Sequence, residues 1–85
     1  MIGQNCNLGA GTKIANLRLD KKNIVVSFQG KKIDTGLRKL GAIIGDNVQT
    51  GINVTINTGT IIGNNSSIGP GAIFQGELAP NSKIM

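Results

Sequence analysis

Basic side chains are the groups in this chain best suited to chemistry, and most of them fall close together. The 85-residue sequence has a formal net charge of +5 and contains no histidine. Eight of the nine Lys and Arg residues lie between positions 13 and 39, namely Lys13, Arg18, Lys21, Lys22, Lys31, Lys32, Arg38 and Lys39. A single surface lysine needs no functional explanation, but a cluster of cations favours an anionic partner. We therefore predict a phosphate-bearing ligand.

Nucleic acid is the competing anionic partner for these cations. Proteins that bind single strands stack the bases on aromatic side chains. This sequence has two Phe, no Tyr and no Trp, and only Phe28 lies near the basic residues. Nucleic acid is therefore not expected as a partner.

The sequence offers neither a general base nor a metal site. Histidine is the usual proton acceptor near neutral pH, and its absence also excludes a β-helix hydratase with histidine-ligated zinc. The single Cys6 cannot form an internal disulfide, and we expect a buried thiol there rather than a nucleophile. No secretory or membrane-spanning segment is evident, so a cytoplasmic protein is predicted.

A six-residue repeat governs where these side chains must lie. Its leading residues are Ile44, Thr50, Ile56, Ile62, Ile68, Phe74 and Pro80. A Gly or Asn follows most of them, and a small or apolar residue lies four positions after each. Glycine at this frequency disfavours a helix, and an interval of strictly six residues disfavours a series of hairpins. The pattern indicates a short strand and a corner, repeated without change of direction.

Three such units would close one 18-residue coil of a parallel β-helix, with each leading residue inside. We expect coils at about residues 2–19, 44–61 and 62–79. The Gly or Asn after each leading residue is expected to take a positive φ at a corner. Pro80 and Asn81 are assigned to the next corner, where the solenoid is expected to fray.

The interval of six is interrupted between the first two coils, at about residues 20–43. Asn23–Phe28 is β-prone, Gln29–Lys32 is turn-like, and Ile33–Thr35 can return antiparallel. These residues predict a β-hairpin arm that projects from one corner and carries much of the basic charge. No cap precedes the first coil, so we expect the C-terminal fragment of a longer protein; a natural short protein is the alternative.

The stretch Asn5–Arg18, with its Asn-x-Gly-Ala-Gly-Thr block and following Asn, resembles the hexapeptide-repeat acyltransferases. With the insertion and the later Ile-Ile-Gly-Asp-Asn-Val block, the whole chain is similar to the C-terminal half of bifunctional sugar-1-phosphate nucleotidylyltransferases that acetylate glucosamine 1-phosphate. The archaeal members are nearest. The resemblance implies a left-handed coil, a homotrimer, acetyl-CoA as co-substrate, and an amino-sugar 1-phosphate as acceptor in UDP-N-acetylglucosamine synthesis.

The resemblance also implies roles for individual residues. Asn7 and Lys39 stand at acceptor-binding positions. The acetyl-CoA positions are Ala10, Asn16, Leu17, Ile52 and Pro70. At three of these the family shows a different residue, because Leu17 replaces Tyr, Ile52 replaces Ser and Pro70 replaces Ala.

No catalytic residue is assigned within the chain. The family's catalytic His lies upstream of the Asn-x-Gly-Ala-Gly-Thr block, and the resemblance implies that it lies before Met1, together with a nucleotidylyltransferase domain. The isolated chain is therefore expected to be inactive.

Two functions of different classes follow from these positions. The first is the acetyltransferase portion of a sugar-nucleotide enzyme, which the retained Asn7, Asn16 and Lys39 favour. The second is a trimerisation and scaffold module of a nucleotidylyltransferase without acetyl transfer, which Leu17 and Ile52 favour.

Overall fold

Short strands make up nearly all of the regular structure. The structure, a computed structural model, describes residues 1–18 and 20–84, so the predicted end of the first coil at Leu19 lies outside it. The strands are β1 (Asn7–Leu8), β2 (Lys13–Ile14), β3 (Val25–Phe28), β4 (Lys31–Asp34), β5 (Ala42–Ile44), β6 (Gln49–Thr50), β7 (Thr55–Ile56), β8 (Thr60–Ile62), β9 (Ser67–Ile68), β10 (Ile73–Phe74), β11 (Glu77–Leu78) and β12 (Lys83–Ile84). The described residues contain no helix.

Three parallel sheets form the sides of a triangular prism. Sheet 1 has the order β1-β6-β9-β12, sheet 2 the order β2-β7-β10, and sheet 3 the order β5-β8-β11. Apart from β3 and β4, which pair with each other, consecutive strands along the chain belong to different sheets, so the chain winds around the prism and pairs with itself one coil later. The predicted all-β parallel β-helix is confirmed.

Columns of apolar side chains fill the interior of the prism. Ile44 pairs with Ile2 in the preceding coil and with Ile62 in the next. Val48, Val54 and Ile56 are each 0% exposed. Burying an aliphatic side chain of this size stabilises a fold by about 1.5–3 kcal/mol. As predicted, the leading residues from Ile44 to Ile68 are all buried.

The last coil is shorter than predicted. Phe74 lies 18 residues after its partner Ile56, whereas Leu78 lies only 16 residues after its partner Ile62. The prediction that Pro80 is the next leading residue is therefore wrong, because the apolar Leu78 occupies that place in the column of Ile62. Gly76, with a φ of 106°, provides the tighter corner. The ladder then continues to β12 rather than fraying at Pro80.

Left-handed backbone torsions mark three edges of the prism. Edge 1, between sheets 3 and 1, carries Asn5, Asn47, Asn65 and Asn81 at φ values of 58°, 58°, 62° and 61°. Edge 2, between sheets 1 and 2, carries Gly11, Asn53 and Gly71. Edge 3, between sheets 2 and 3, carries Gly59 and Gly76. Asn and Gly adopt this conformation at little cost.

The glycines directly after the leading residues have a different role from the one predicted. Their φ values are not positive, so the prediction that glycine is needed there for a left-handed backbone conformation is wrong. Space is the reason, because a Cβ on Gly9 would lie 2.5 Å from the carbonyl carbon of Gly51, and one on Gly63 would lie 2.5 Å from the nitrogen of Pro80. Successive coils approach too closely at these points for a side chain.

The predicted hairpin, β3 with β4, is present between the first and second coils. The hairpin was predicted to project from the corner into solvent; instead it folds back over edge 3. Ile24 and Val26 are 1% and 7% exposed, and both lie against Gly59. The amide of Gln29 at the hairpin turn donates to Glu77 Oε1 at 2.9 Å. The reason is the apolar alternation of β3, whose buried side chains need a surface to cover.

Candidate functional site

Three of the predicted site residues meet at the base of the arm. Leu17 and Lys39 form an antiparallel bridge, and the Leu40 amide donates to the carbonyl of Asn16 at 2.9 Å. Leu17 keeps 39% of its surface exposed. It shares a surface cavity with the basic side chains of Lys21, Arg38 and Lys39. The inserted arm therefore brings cations from both of its flanks to one point on edge 3.

Three other predicted residues stack along edge 2. The Asn53 amide donates to the carbonyl of Ala10 at 2.9 Å, and the Gly71 amide donates to the carbonyl of Ile52 at the same distance. Pro70 follows in the next coil, and all of Ala10, Ile52 and Pro70 are exposed. Ile52 is 55% exposed, which is unusual for its type. Edge 2 thus presents a strip of backbone and apolar side chain to solvent.

Asn7 belongs to neither group. It lies exposed on sheet 1, paired with Gln49 of the coil above. Edges 2 and 3 are themselves six residues apart along a coil, which is at most about 20 Å. The seven predicted residues therefore form three separate groups on a single chain. One site can include all of them only through an extended ligand or a second copy of the chain.

Met1 has a structural role and takes no part in these groups. Its backbone nitrogen donates to the carbonyl of Ala42 at 3.0 Å, and its carbonyl accepts the Ile44 amide at 2.8 Å. Its side chain is 88% exposed and does not line the cavity of Leu17 and Lys39. The catalytic His that the resemblance implies before Met1 falls outside this sequence, so its position stays a prediction.

An ion pair lies beside the arm base. Arg18 Nη2 donates to Asp20 Oδ2 at 2.7 Å, and Arg18 Nη1 donates to the carbonyl of Asn23 at 3.3 Å. The hydrogen bond from the Lys22 amide, assisted by the charge of Arg18, lowers the pKa of Asp20. Asp20 is therefore ionised at neutral pH, and it offsets part of the positive charge of Arg18.

A second cavity, not predicted from the sequence, separates the hairpin from edge 3. We call it the arm cleft; its volume is about 420 Å³ and its polar lining is Arg18, Ser27, Lys32, Thr58 and Gln75. From the sequence, Lys32 is one of eight clustered cations with no individual role, and Ser27, Thr58 and Gln75 carry no predicted role. They are distant in sequence and meet only because the hairpin folds back. The single sequence signal was the alternation of Ser27 with the apolar residues of β3.

Cys6 occupies the interior position that the repeat predicted, but it is only half-buried. Its thiol donates to the carbonyl of Gly45 at 3.1 Å.

No helix in the described part of the chain is long and apolar enough to cross a membrane.

The repeat itself has known counterparts. Residues 41–76 match the family described as bacterial transferase hexapeptide (six repeats). The match covers 36 of the 85 residues; together with the three parallel sheets it fits the left-handed β-helix that the sequence resemblance implied.

Similarity to individual proteins extends beyond the repeat. The chain is 55% identical over 78 residues to the bifunctional sugar-1-phosphate nucleotidylyltransferase/acetyltransferase of Sulfurisphaera tokodaii, covering 92% of this chain and 20% of that protein. It is 49% identical over 84 residues to the bifunctional protein GlmU of Methanococcus maripaludis strain C7, covering 99% of this chain and 20% of that protein. The same comparison with GlmU of Methanocaldococcus jannaschii gives 42% over 84 residues. The chain spans about a fifth of the length of these relatives, and the predicted resemblance to archaeal bifunctional enzymes is confirmed.

Proposed function

We propose that this chain is the acetyl-transfer portion of a bifunctional sugar-nucleotide enzyme. The substrates would be acetyl-CoA and glucosamine 1-phosphate or a related amino-sugar 1-phosphate. The observation that carries this proposal is the stacking of Ala10, Ile52 and Pro70 along edge 2, since the three acetyl-CoA positions implied by the resemblance lie far apart in sequence. The names of the relatives, which include an acetyltransferase, support the same reaction.

The reaction would be direct transfer between two bound substrates. The sugar amine attacks the thioester carbonyl carbon, a C–N bond forms, the C–S bond breaks, and the CoA thiolate leaves. The amine proton passes to a base that this chain does not contain, because its sequence has no His. Holding the two reactants in line can supply about 7–11 kcal/mol of the barrier reduction.

The chain's own residues would bind and orient these substrates. Lys39 and Asn7 would hold the sugar phosphate, and Asn16 would lie beside the acetyl group. The backbone of Asn16 is fixed by the Leu40 amide, so its side chain starts from a defined position at the arm base. Its amide N–H groups are of the kind that stabilise a developing oxyanion.

A complete site would require more than one chain. Edges 2 and 3 of a single chain lie on opposite sides of sheet 2. A homotrimer, in which an edge of one subunit faces sheet 1 or edge 3 of the next, would bring the three groups together. We propose this assembly in the cytoplasm, where both substrates would be found.

A scaffold role without acetyl transfer is the second candidate. Ile52 is the observation in its favour, because a 55% exposed isoleucine cannot donate the hydrogen bond of the Ser that the family shows there. In that case the β-helix would serve only to assemble a nucleotidylyltransferase.

Binding of coenzyme A separates the two candidates. We expect millimolar CoA to raise the melting temperature by several degrees, because a ligand at 100 times its Kd adds about 2.7 kcal/mol of stability. Ile52→Glu on edge 2 should remove this shift, since it places a like charge beside the CoA phosphates. Gln49→Glu makes the same charge change on sheet 1 and should retain it. A melting temperature that CoA leaves unchanged would favour the scaffold.

A further inference from the structure

The arm cleft is a concave site that none of the seven predicted site residues lines. Its volume of about 420 Å³ is in the range of small-molecule sites. Its lining comes from the hairpin, from edge 3 and from Arg18 next to the arm, so the cleft requires both the repeat and the insertion.

The hairpin wall carries a hydroxyl and an ammonium side by side. Ser27 and Lys32 are directly opposite each other in the antiparallel register. Directly paired residues project on the same face with Cβ atoms about 5 Å apart. Val26 packs on Gly59 from the opposite face of β3, so Ser27 and Lys32 line the cleft from the face of the hairpin that edge 3 leaves open.

The facing wall adds further donors. Arg18 is oriented by Asp20 and by the carbonyl of Asn23, and these two bonds use only two of its five N–H groups. Thr58 and Gln75 lie on edge 3 and contribute a hydroxyl and an amide.

The charge in the arm cleft is positive. Asp20 offsets Arg18, but Lys32 has no ion-pair partner among residues 1–18 and 20–84. The cleft is lined by no carboxylate from these residues, and Glu77 nearby accepts the Gln29 amide. A concave wall of N–H and O–H donors with an uncompensated ammonium matches the oxygens of a phosphate group.

We propose that the arm cleft is a binding site for the phosphate or diphosphate group of a small organic phosphate. Lys32 and Arg18 supply the charge, and Ser27 and Thr58 supply hydroxyl donors. The phosphate site does not depend on acetyl transfer. Its candidate source, the 3′-phosphate of CoA, does rest on the proposed function, which gives the sugar phosphate to Asn7 and Lys39.

The test uses inorganic pyrophosphate as the probe and calorimetric titration as the measurement. We expect Lys32→Gln to weaken pyrophosphate binding about tenfold, since it removes one charge-assisted contact. The matched control is Lys31→Gln, which removes the same charge from the adjacent residue. Lys31 pairs with Phe28 and projects on the other face of the hairpin, so this variant should lose less than about threefold.

Equal losses of pyrophosphate affinity in Lys31→Gln and Lys32→Gln would overturn the proposal, because binding would then depend on the net charge of the hairpin and not on the cleft. A wild-type chain that fails to bind pyrophosphate at millimolar concentration would overturn it as well. Arg18→Lys is the second variant; it keeps the charge but loses the forked donor geometry, and we expect it to weaken binding severalfold.

Two further titrations identify the source of the phosphate. If CoA supplies it, Lys32→Gln weakens CoA binding but leaves dephospho-CoA binding unchanged, because only CoA carries the 3′-phosphate. If Lys32→Gln weakens glucosamine 1-phosphate binding instead, the cleft holds the sugar phosphate and the assignment of that phosphate to Asn7 and Lys39 is wrong. Pyrophosphate binding with the expected pattern of variants, in a protein that binds no CoA, would support the cleft while contradicting the acetyl-transfer proposal.

Discussion

Gly51 shows how closely successive coils approach each other. A Cβ at this position would lie 2.7 Å from both the nitrogen and the ring Cγ of Pro70, and the first of these is backbone that cannot move aside. We expect Gly51→Ala to lower the free energy of unfolding by about 1–3 kcal/mol, as overpacking does. Urea denaturation followed by circular dichroism measures the loss.

Gly41→Ala is the matched control for this substitution. Its new methyl group would meet the Cγ2 methyl of Ile14 at 3.1 Å and the Ala15 carbonyl oxygen at 3.9 Å, an ordinary contact distance, so no backbone atom lies too close. We expect a smaller loss of stability there. Equal stabilities for the two variants would contradict the role of close approach between coils.

Single residues also show what the repeat did and did not predict. The interior columns were predictable as far as Phe74 because apolar residues recur there at a fixed interval. The shortened coil could not be predicted because two residues fit the repeat counted from Phe74: Leu78 lies four positions after it and Pro80 six. Asn81 was the available signal, since it lies three residues after Leu78 just as Asn47 lies three after Ile44, and both have a positive φ.

Among residues 1–18 and 20–84, a single polar contact holds the turn of the hairpin arm to the β-helix. Glu77 Oε1 accepts the Gln29 amide at 2.9 Å, and both residues are at the surface. We expect Glu77→Ala to speed hydrogen exchange at the Gln29 amide by about fivefold, corresponding to a net hydrogen bond of about 1 kcal/mol. Amide exchange followed by NMR measures this rate directly.

The matched variant is Glu77→Gln, which keeps a carbonyl oxygen as acceptor and should slow the exchange back toward the wild-type rate. The buried Ile24 and Val26 should keep the rest of the hairpin in place in both variants. Rapid exchange throughout β3 after Glu77→Ala would instead mean that this contact, and not apolar burial, holds the arm.

The hairpin also explains why the sequence predicted only part of the candidate site. Its strands and turn follow from local residue types. The pairing of Leu17 with Lys39 follows from placing the insertion between two coils, because both flanks of the insertion then lie at one corner. The arm cleft depends on which surface the hairpin covers, and that follows from the burial of Ile24 and Val26 against Gly59. A contact between positions this far apart leaves no periodic trace in a single sequence.

Assembly is the property of the whole molecule on which the proposed site depends. Asn7 on sheet 1 and Lys39 at edge 3 cannot contact one small sugar phosphate on the same chain, because edge 2 and all of sheet 2 lie between them. If the chains form a trimer of about 26 kDa, three times 8.8 kDa, each site would combine Asn7 of one subunit with Lys39 of the next. Sedimentation measures this mass.

Mixed trimers test the shared site. We expect Asn7→Ala and Lys39→Ala each to weaken glucosamine 1-phosphate binding at least tenfold when either variant is studied alone. After the two variants are unfolded together and refolded, random mixing leaves about a quarter of the sites with both native residues, because each site draws on two chains. Calorimetry should therefore recover tight binding at about that stoichiometry. If both residues acted within one chain, every site in the mixture would lack one of them, and no tight binding would return.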